Sequence, residues 1–423
     1  MHETLSRGYA DRTNANDEGV WRKWEAFCKT MGTSPWRTDM AANSGADPDG
    51  HAEEVFLLVS FLIYAYDRMR PRRRSDPAAD PRSARKNVEA IRRRHHVRGI
   101  TMVAMSLVIL ATKGMCRQYI EEHGVGGLTP ERKLPFTQTM VSGLLHTPQD
   151  AKRGNLVVDW GDYRWVATRA CFATLAEEGS RKDEVAKATA DTPFKKGRFT
   201  FASLSWYIGG KALQRPPTRE ELLSLQAGDG VLLKHGVAKN DPIGQYFTAT
   251  PSFLPFRAGQ RCACAELAKM ELQARVAWAD RAKTPLFGPS PGEEFTHAQL
   301  DSALKLMLSR GAGVPEAELA NYSVHSFRIF AACALLAADA PRWLIKRMLR
   351  WRGDDSLELY ARVNNEVWAE YSAKMVDVTV ESQIASRLDY MDFSPETRAR
   401  FDDVAKSLLS LNASTARAVG APL

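Results

Sequence analysis

Apolar positions in the first 130 residues recur at helical spacing. Within Val20–Met31, Trp21, Trp24, Phe27 and Cys28 fall at i, i+3, i+6 and i+7, which predicts an amphipathic helix. A loop rich in Asp, Gly and Pro, Gly32–Gly50, separates it from a second helical stretch, Ala52–Met69. Three prolines between Pro71 and Pro81 interrupt the pattern. A basic helix resumes over Ser83–His96, and a fourth covers Thr101–His123, closed by Gly124 and the Gly126–Gly127 pair. The polar residues 1 to 18 are expected to be frayed. Four helices with no strand pattern between them predict a small bundle.

The segment Leu128–Leu134 has the character of a linker, and helices follow over Thr137–Leu145 and Tyr163–Glu178. The texture then turns aromatic and β-branched over Arg198–Ile208 and Gly230–Leu233. A turn at Gly236–Gly244 leads to Tyr246–Thr250, which together predict a short antiparallel sheet. Helical periodicity returns over Ala263–Ala282 and over His297–Arg310, where Leu300, Leu304, Met307 and Leu308 share a face. Further helices are expected within 322–360, one opened by Pro341 at its first position, and a last one follows the Ser394 cap. The predicted fold class is mainly α with a small antiparallel β-sheet. An N-terminal helical bundle over 1–130 precedes a mixed α+β domain over 131–423.

Length agrees with that division, since 423 residues is long for a single domain. The apolar runs Val55–Tyr66 and Ile100–Thr112 are too short to cross a bilayer, so no membrane span is expected. No apolar signal-peptide core opens the chain, and a soluble intracellular protein is expected. Of six cysteines, Cys262 and Cys264 make an isolated C-x-C with no second pair nearby, so neither a metal site nor a disulfide framework is predicted. The net charge of +8 is concentrated: Arg68–Arg98 holds twelve Arg or Lys against three acids. Arg72, Arg73, Arg74, Arg85, Lys86, Arg92, Arg93 and Arg94 are the candidate contacts to a phosphate backbone, which would release counterions on binding. A solvated charged face is the plainer alternative for such a stretch.

The candidate chemistry lies late in the chain. His325 is followed three residues on by Arg328, 23 later by Trp351, and nine later by Tyr360. Helix packing does not demand an imidazole, a guanidinium, an indole and a phenol at those offsets. Phosphoryl transfer through a tyrosine needs a nucleophile, with donors and positive charge aimed at the phosphate oxygens. The pattern resembles the C-terminal signature of the tyrosine recombinases, or integrases, including those of retroelements and algal mobile elements.

That resemblance implies an early arginine in G-x-R-x-x-E, matched by Gly179, Arg181 and Glu184, with Arg215 and Arg219 as competitors after the first strand. It also implies a hairpin lysine, for which Lys239 is the candidate and Lys234 the nearest rival. In the family's scheme Arg181 and Arg328 clamp phosphate oxygens and His325 assists. Trp351, where most members have His, only donates. Lys239 gives a proton to the leaving oxygen, and Tyr360 holds the strand as a 3′-phosphotyrosine without cofactor, metal or ATP. Tyr322 and Tyr371 do not match the spacing. The implied partner is double-stranded DNA, clamped by the bundle as a core-binding domain, with a homo-tetramer joined through the C-terminal helix. A copy that binds DNA without cutting and a type IB topoisomerase are the alternatives.

Overall fold

The structure is a computed structural model. It describes residues 11–37, 48–71, 76–103, 105–129, 132–194, 197–237, 241, 251–259, 262–360 and 372–373. It is mainly helical with small antiparallel sheets. Main-chain contacts divide the chain into two compact units. Met1–Ala331 with Lys346–Asp354 form the first, and Ala332–Ile345 with Asp355–Leu423 the second.

Helices α1 (Asp11–Thr30), α2 (Pro48–Asp67), α3 (Pro81–Val97) and α4 (Ser106–His123) bury one cluster of side chains, drawn from residues 21 to 108. Trp24 and Phe61 meet edge to face at 4.9 Å in its centre, and the Trp24 indole N–H donates to the Pro35 carbonyl at 2.7 Å. Helix α1 begins well before the predicted start. Its polar first half is anchored by Arg93 to Asp17 at 2.7 Å and by Arg94 to Glu18 at 2.5 Å, tertiary partners that periodicity cannot register.

A second cluster of buried side chains is drawn from residues 136 to 327. Its axis is α6 (Tyr163–Glu178), capped by the Asp162 carboxylate, which accepts from the Arg164 N–H. Nearly every residue of α6 is buried, as expected of a helix enclosed on all sides. Around it lie α5 (Gln138–Leu145), α9 (Ala263–Ala274) and α10 (His297–Arg310). The hairpin β1 (Lys152–Arg153) and β2 (Leu156–Val157), turning at Gly154 (φ 59°), is too short to leave a sequence period.

The four-stranded sheet runs β4–β3–β5–β6, with β3 Leu204–Ile208, β4 Lys211–Ala212, β5 Gly230–Leu233 and β6 Ser252–Pro255, every neighbouring pair antiparallel. Trp206 faces Val231, which faces Leu254. Only the second half of the expected strand Arg198–Ile208 joins this sheet. The first half bridges elsewhere, Thr200 to Pro285, before a short turn at Phe201–Ser203. The helix expected to reach Ala282 stops at Ala274. There Arg275 takes a left-handed conformation (φ 45°) and the chain turns back, so that buried Arg281 pairs with Glu271 and donates to the Phe201 carbonyl.

Between β4 and β5, α8 (Arg219–Leu223) opens with a reciprocal Thr218/Glu221 cap. The chain continues through α11 (His325–Ala337), α12 (Arg342–Met348) and α13 (Asp354–Tyr360). Pro341 directly precedes α12 rather than forming its first residue. Among the described residues, no helix is long and apolar enough to cross a membrane. The expected helix after Ser394 lies outside the described residues.

Candidate active site

Helix α6 ends at Gly179, which is left-handed (φ 61°) and donates its N–H to the Leu175 carbonyl at 2.9 Å. A Cβ at this position would lie 2.5 Å from the Leu349 Cδ2, so glycine suits both the left-handed conformation and the close approach. Two residues on, Arg181 precedes the four-residue helix α7 (Lys182–Val185). The Glu184 carboxylate folds back, accepting from the Arg181 N–H at 2.8 Å and pairing with its guanidinium at 3.3 Å. Each fixed position of G-x-R-x-x-E thus has a local physical task.

Helix α11 sets His325 and Arg328 one turn apart on one face. Arg328 is 3% exposed; Nη1 donates to the Gly179 carbonyl and Nη2 to the Leu349 carbonyl. Its guanidinium carbon lies 5.2 Å from the Trp351 ring centroid. One side chain therefore ties the end of α6 to the turn before Trp351. The His325 ring still reaches solvent, yet partial desolvation and then the Arg328 and Arg181 cations pull its pKa below the ordinary histidine value, leaving it neutral at pH 7. Four residues separated by as many as 170 positions are thus neighbours in space.

Helix α12 closes with paired bonds, Trp351 N–H to the Lys346 carbonyl at 2.8 Å and Arg350 N–H to the Arg347 carbonyl at 3.2 Å. This ending favours glycine at its left-handed position, but here Arg350 fills it at φ 56°. A side chain in that conformation costs roughly 1–2 kcal/mol. Arg350 is 4% exposed: Nη2 donates to Glu184 at 2.8 Å, with Ser180 Oγ at 3.4 Å, and Nη1 contacts His235 Nδ1.

A guanidinium cannot accept, so Nδ1 is the acceptor, and His235 is neutral with its proton on Nε2. That proton faces Glu178 Oε1 at 2.9 Å and Ser252 Oγ at 3.1 Å, and the Ser252 hydroxyl donates to the same carboxylate oxygen at 2.8 Å. Burial pushes the Glu178 carboxyl up to about 7, with Arg350 and the Ser252 bond opposing.

The fold brings Arg181, His325, Arg328 and Trp351 together. Trp351 is 6% exposed. Tyr360 is the last residue of α13 and belongs to the second compact unit; its side chain lies outside the described residues. Lys239 also lies outside them, within the connection between the paired strands β5 and β6, while Lys234 is exposed at its start. The competitor Arg215 is exposed and bonded to Glu221 at 2.6 Å, and Arg219 is exposed on α8. Tyr322 stacks on Phe136 at 5.5 Å, a packing role, and Tyr371 is outside the described residues.

Of the basic candidates in the bundle, Arg72, Arg73 and Arg74 are outside the described residues, and Lys86 is exposed. Arg85 pairs with Glu89 at 2.9 Å, Arg92 is half-buried, and Arg93 and Arg94 join α3 to α1. Sequence reasoning missed Glu178, His235 and Arg350; the one available signal was the direct adjacency of Arg350 to Trp351. Cys262 and Cys264 are buried in the core beside α6, where desolvation raises the Cys264 thiol far above its ordinary pKa.

No protein-family model matches the chain, and no curated protein matches it. Among solved structures, it is similar to the crystal structure of XerA recombinase at 12% identity, with 84% of this chain and 98% of that chain covered and a TM-score of 0.35.

Proposed function

We propose that the chain is a DNA strand transferase of the tyrosine-recombinase type, with Tyr360 as nucleophile. The observation that carries this reading is the convergence of Arg181, His325, Arg328 and Trp351 around one buried guanidinium, at the positions that the signature picks out. Structural ion pairs alone do not require a partly desolvated histidine beside two arginines, nor an indole next to them.

The roles follow from charge and hydrogen-bonding capacity. Arg181 and Arg328 hold the non-bridging oxygens of the scissile phosphate as charge builds on them. The Trp351 indole N–H donates to the same group and cannot shuttle a proton. Neutral His325 accepts the phenol proton as the Tyr360 oxygen attacks phosphorus. The bond to the 5′-oxygen breaks, and Lys239 supplies that oxygen with a proton. The product is a 3′-phosphotyrosine and a free 5′-hydroxyl. Religation is the reverse displacement by a 5′-hydroxyl, so neither ATP nor a metal enters the balance. The bundle, residues 1–130, serves as the clamp on double-stranded DNA. The domain over 131–423 performs the chemistry, as a tetramer on two duplexes, wherever the cell keeps its DNA.

The test is a pool of nicked duplexes in which cleavage releases a short fragment and so traps the adduct. A denaturing gel should show a protein–DNA band with the wild-type chain and none with Tyr360→Phe, while DNA affinity is nearly unchanged. DNA binding by the wild type with no adduct on any nicked duplex would leave only a DNA-binding protein.

A further inference from the structure

We propose that Arg350 is a positioning residue for Arg181. Its guanidinium holds Glu184 on one side and the His235–Glu178–Ser252 cluster on the other, so that the end of the β5–β6 pair fixes where Arg181 presents its charge. The inference rests on the phosphoryl-transfer reading above and deepens it.

Three observations carry it. Arg350 occupies a left-handed helix end where glycine would be free of strain, so what the arginine adds there is its guanidinium and not the backbone shape. It is buried and its two terminal nitrogens point to different elements, a span for which a planar fork is suited and a single ammonium is not. Finally, the Glu184 oxygen that accepts from Arg350 is the oxygen that accepts from the Arg181 N–H, while the other pairs with the Arg181 guanidinium. A shift of Glu184 therefore moves both the backbone and the charge of Arg181. On the far side, the His235 tautomer is fixed by Arg350, and its Nε2–H holds Glu178 and Ser252. Ser252 opens β6 and His235 follows β5, so the cluster pins the end of that pair from which the β5–β6 connection leaves to the last turn of α6.

The experiment compares single-turnover cleavage of two nicked duplexes, one with an ordinary scissile phosphate and one with a methylphosphonate there. The methyl group replaces one charged oxygen, so a misplaced arginine matters less. With Arg350→Lys, cleavage of the phosphate should slow by about a hundredfold, the scale of an ångström-sized misplacement. Cleavage of the methylphosphonate should slow by less than about tenfold, since one charge-stabilising contact is no longer required.

Glu184→Gln should give the same ratio, and it decides the question if Arg350→Lys fails to melt cooperatively. Arg215→Gln, at an exposed pair outside the cluster, should leave both rates unchanged. Equal losses on the two substrates would show a merely structural role and overturn the inference while the phosphoryl-transfer reading stands, as would no loss on either. Absence of a Tyr360-dependent adduct with the wild-type chain would instead overturn that reading, and this inference with it.

Discussion

The chain uses arginine in two ways, and the helix α3 and the candidate active site show them side by side. Arg93 and Arg94 have side chains 30% and 29% exposed, each paired with one carboxylate on α1. Such pairs are screened by salt and are worth about 0.2–1 kcal/mol. Arg328 and Arg350 are under 5% exposed, and each joins segments far apart in sequence through several bonds. The first arrangement leaves charge near water, where a phosphate backbone can compete for it. The second fixes the direction of the charge in a low-dielectric setting, which is what a developing transition-state charge requires. Net charge alone would class the two together.

The largest effect should come from the buried set. Arg328→Ala would strand two buried carbonyls, on Gly179 and Leu349, and the loss should be about 3 kcal/mol, read as a fall in the urea midpoint with the slope unchanged. Arg93→Gln should cost no more than about 1 kcal/mol in the same assay. Equal losses would erase the distinction.

Next in size is a pH effect at the same cluster. Glu178 rises from 4.5 to about 7 in the folded chain, so between those values the folded state binds a proton that the unfolded state has released. Stability from this group is full below pH 4.5, declines as pH rises to about 7, and is flat above, a span on the order of 3 kcal/mol. Comparing wild type with Glu178→Gln across that window isolates the term, and parallel curves would contradict it.

His325 gives a kinetic counterpart. Because its pKa is depressed, adduct formation should hold through pH 7 and fall only below the ordinary histidine value of about 6.5. The smallest effect belongs to the surface. Lys86→Gln should lower the salt slope of DNA binding by about 0.9, whereas Arg93→Gln should change it less because Asp17 already neutralises that charge.

What the sequence disclosed depended on whether the signal was local. Helices α6 and α10 were legible to the residue because their caps are local: Asp162 and Gly179 bound one, and the Thr296–Gln299 box opens the other. Strand β5 was legible as a short apolar run. The halved strand at Arg198 and the shortened helix at Ala274 were not, because bonds to residues 285 and 281 decided them. The site divides the same way. His325, Arg328, Trp351 and Tyr360 share one stretch, and their intervals are visible. Glu178, His235 and Arg350 are three isolated residues until the fold brings them together, and no interval relates them.

The most direct test of the central claim is to locate the covalent bond to DNA. Wild-type protein would be trapped on the nicked duplex, digested with protease, and the DNA-linked peptide sequenced by mass spectrometry. A 3′-phosphate on the Tyr360 oxygen is the predicted result. A linkage through another residue, or to a 5′-phosphate, would contradict the account.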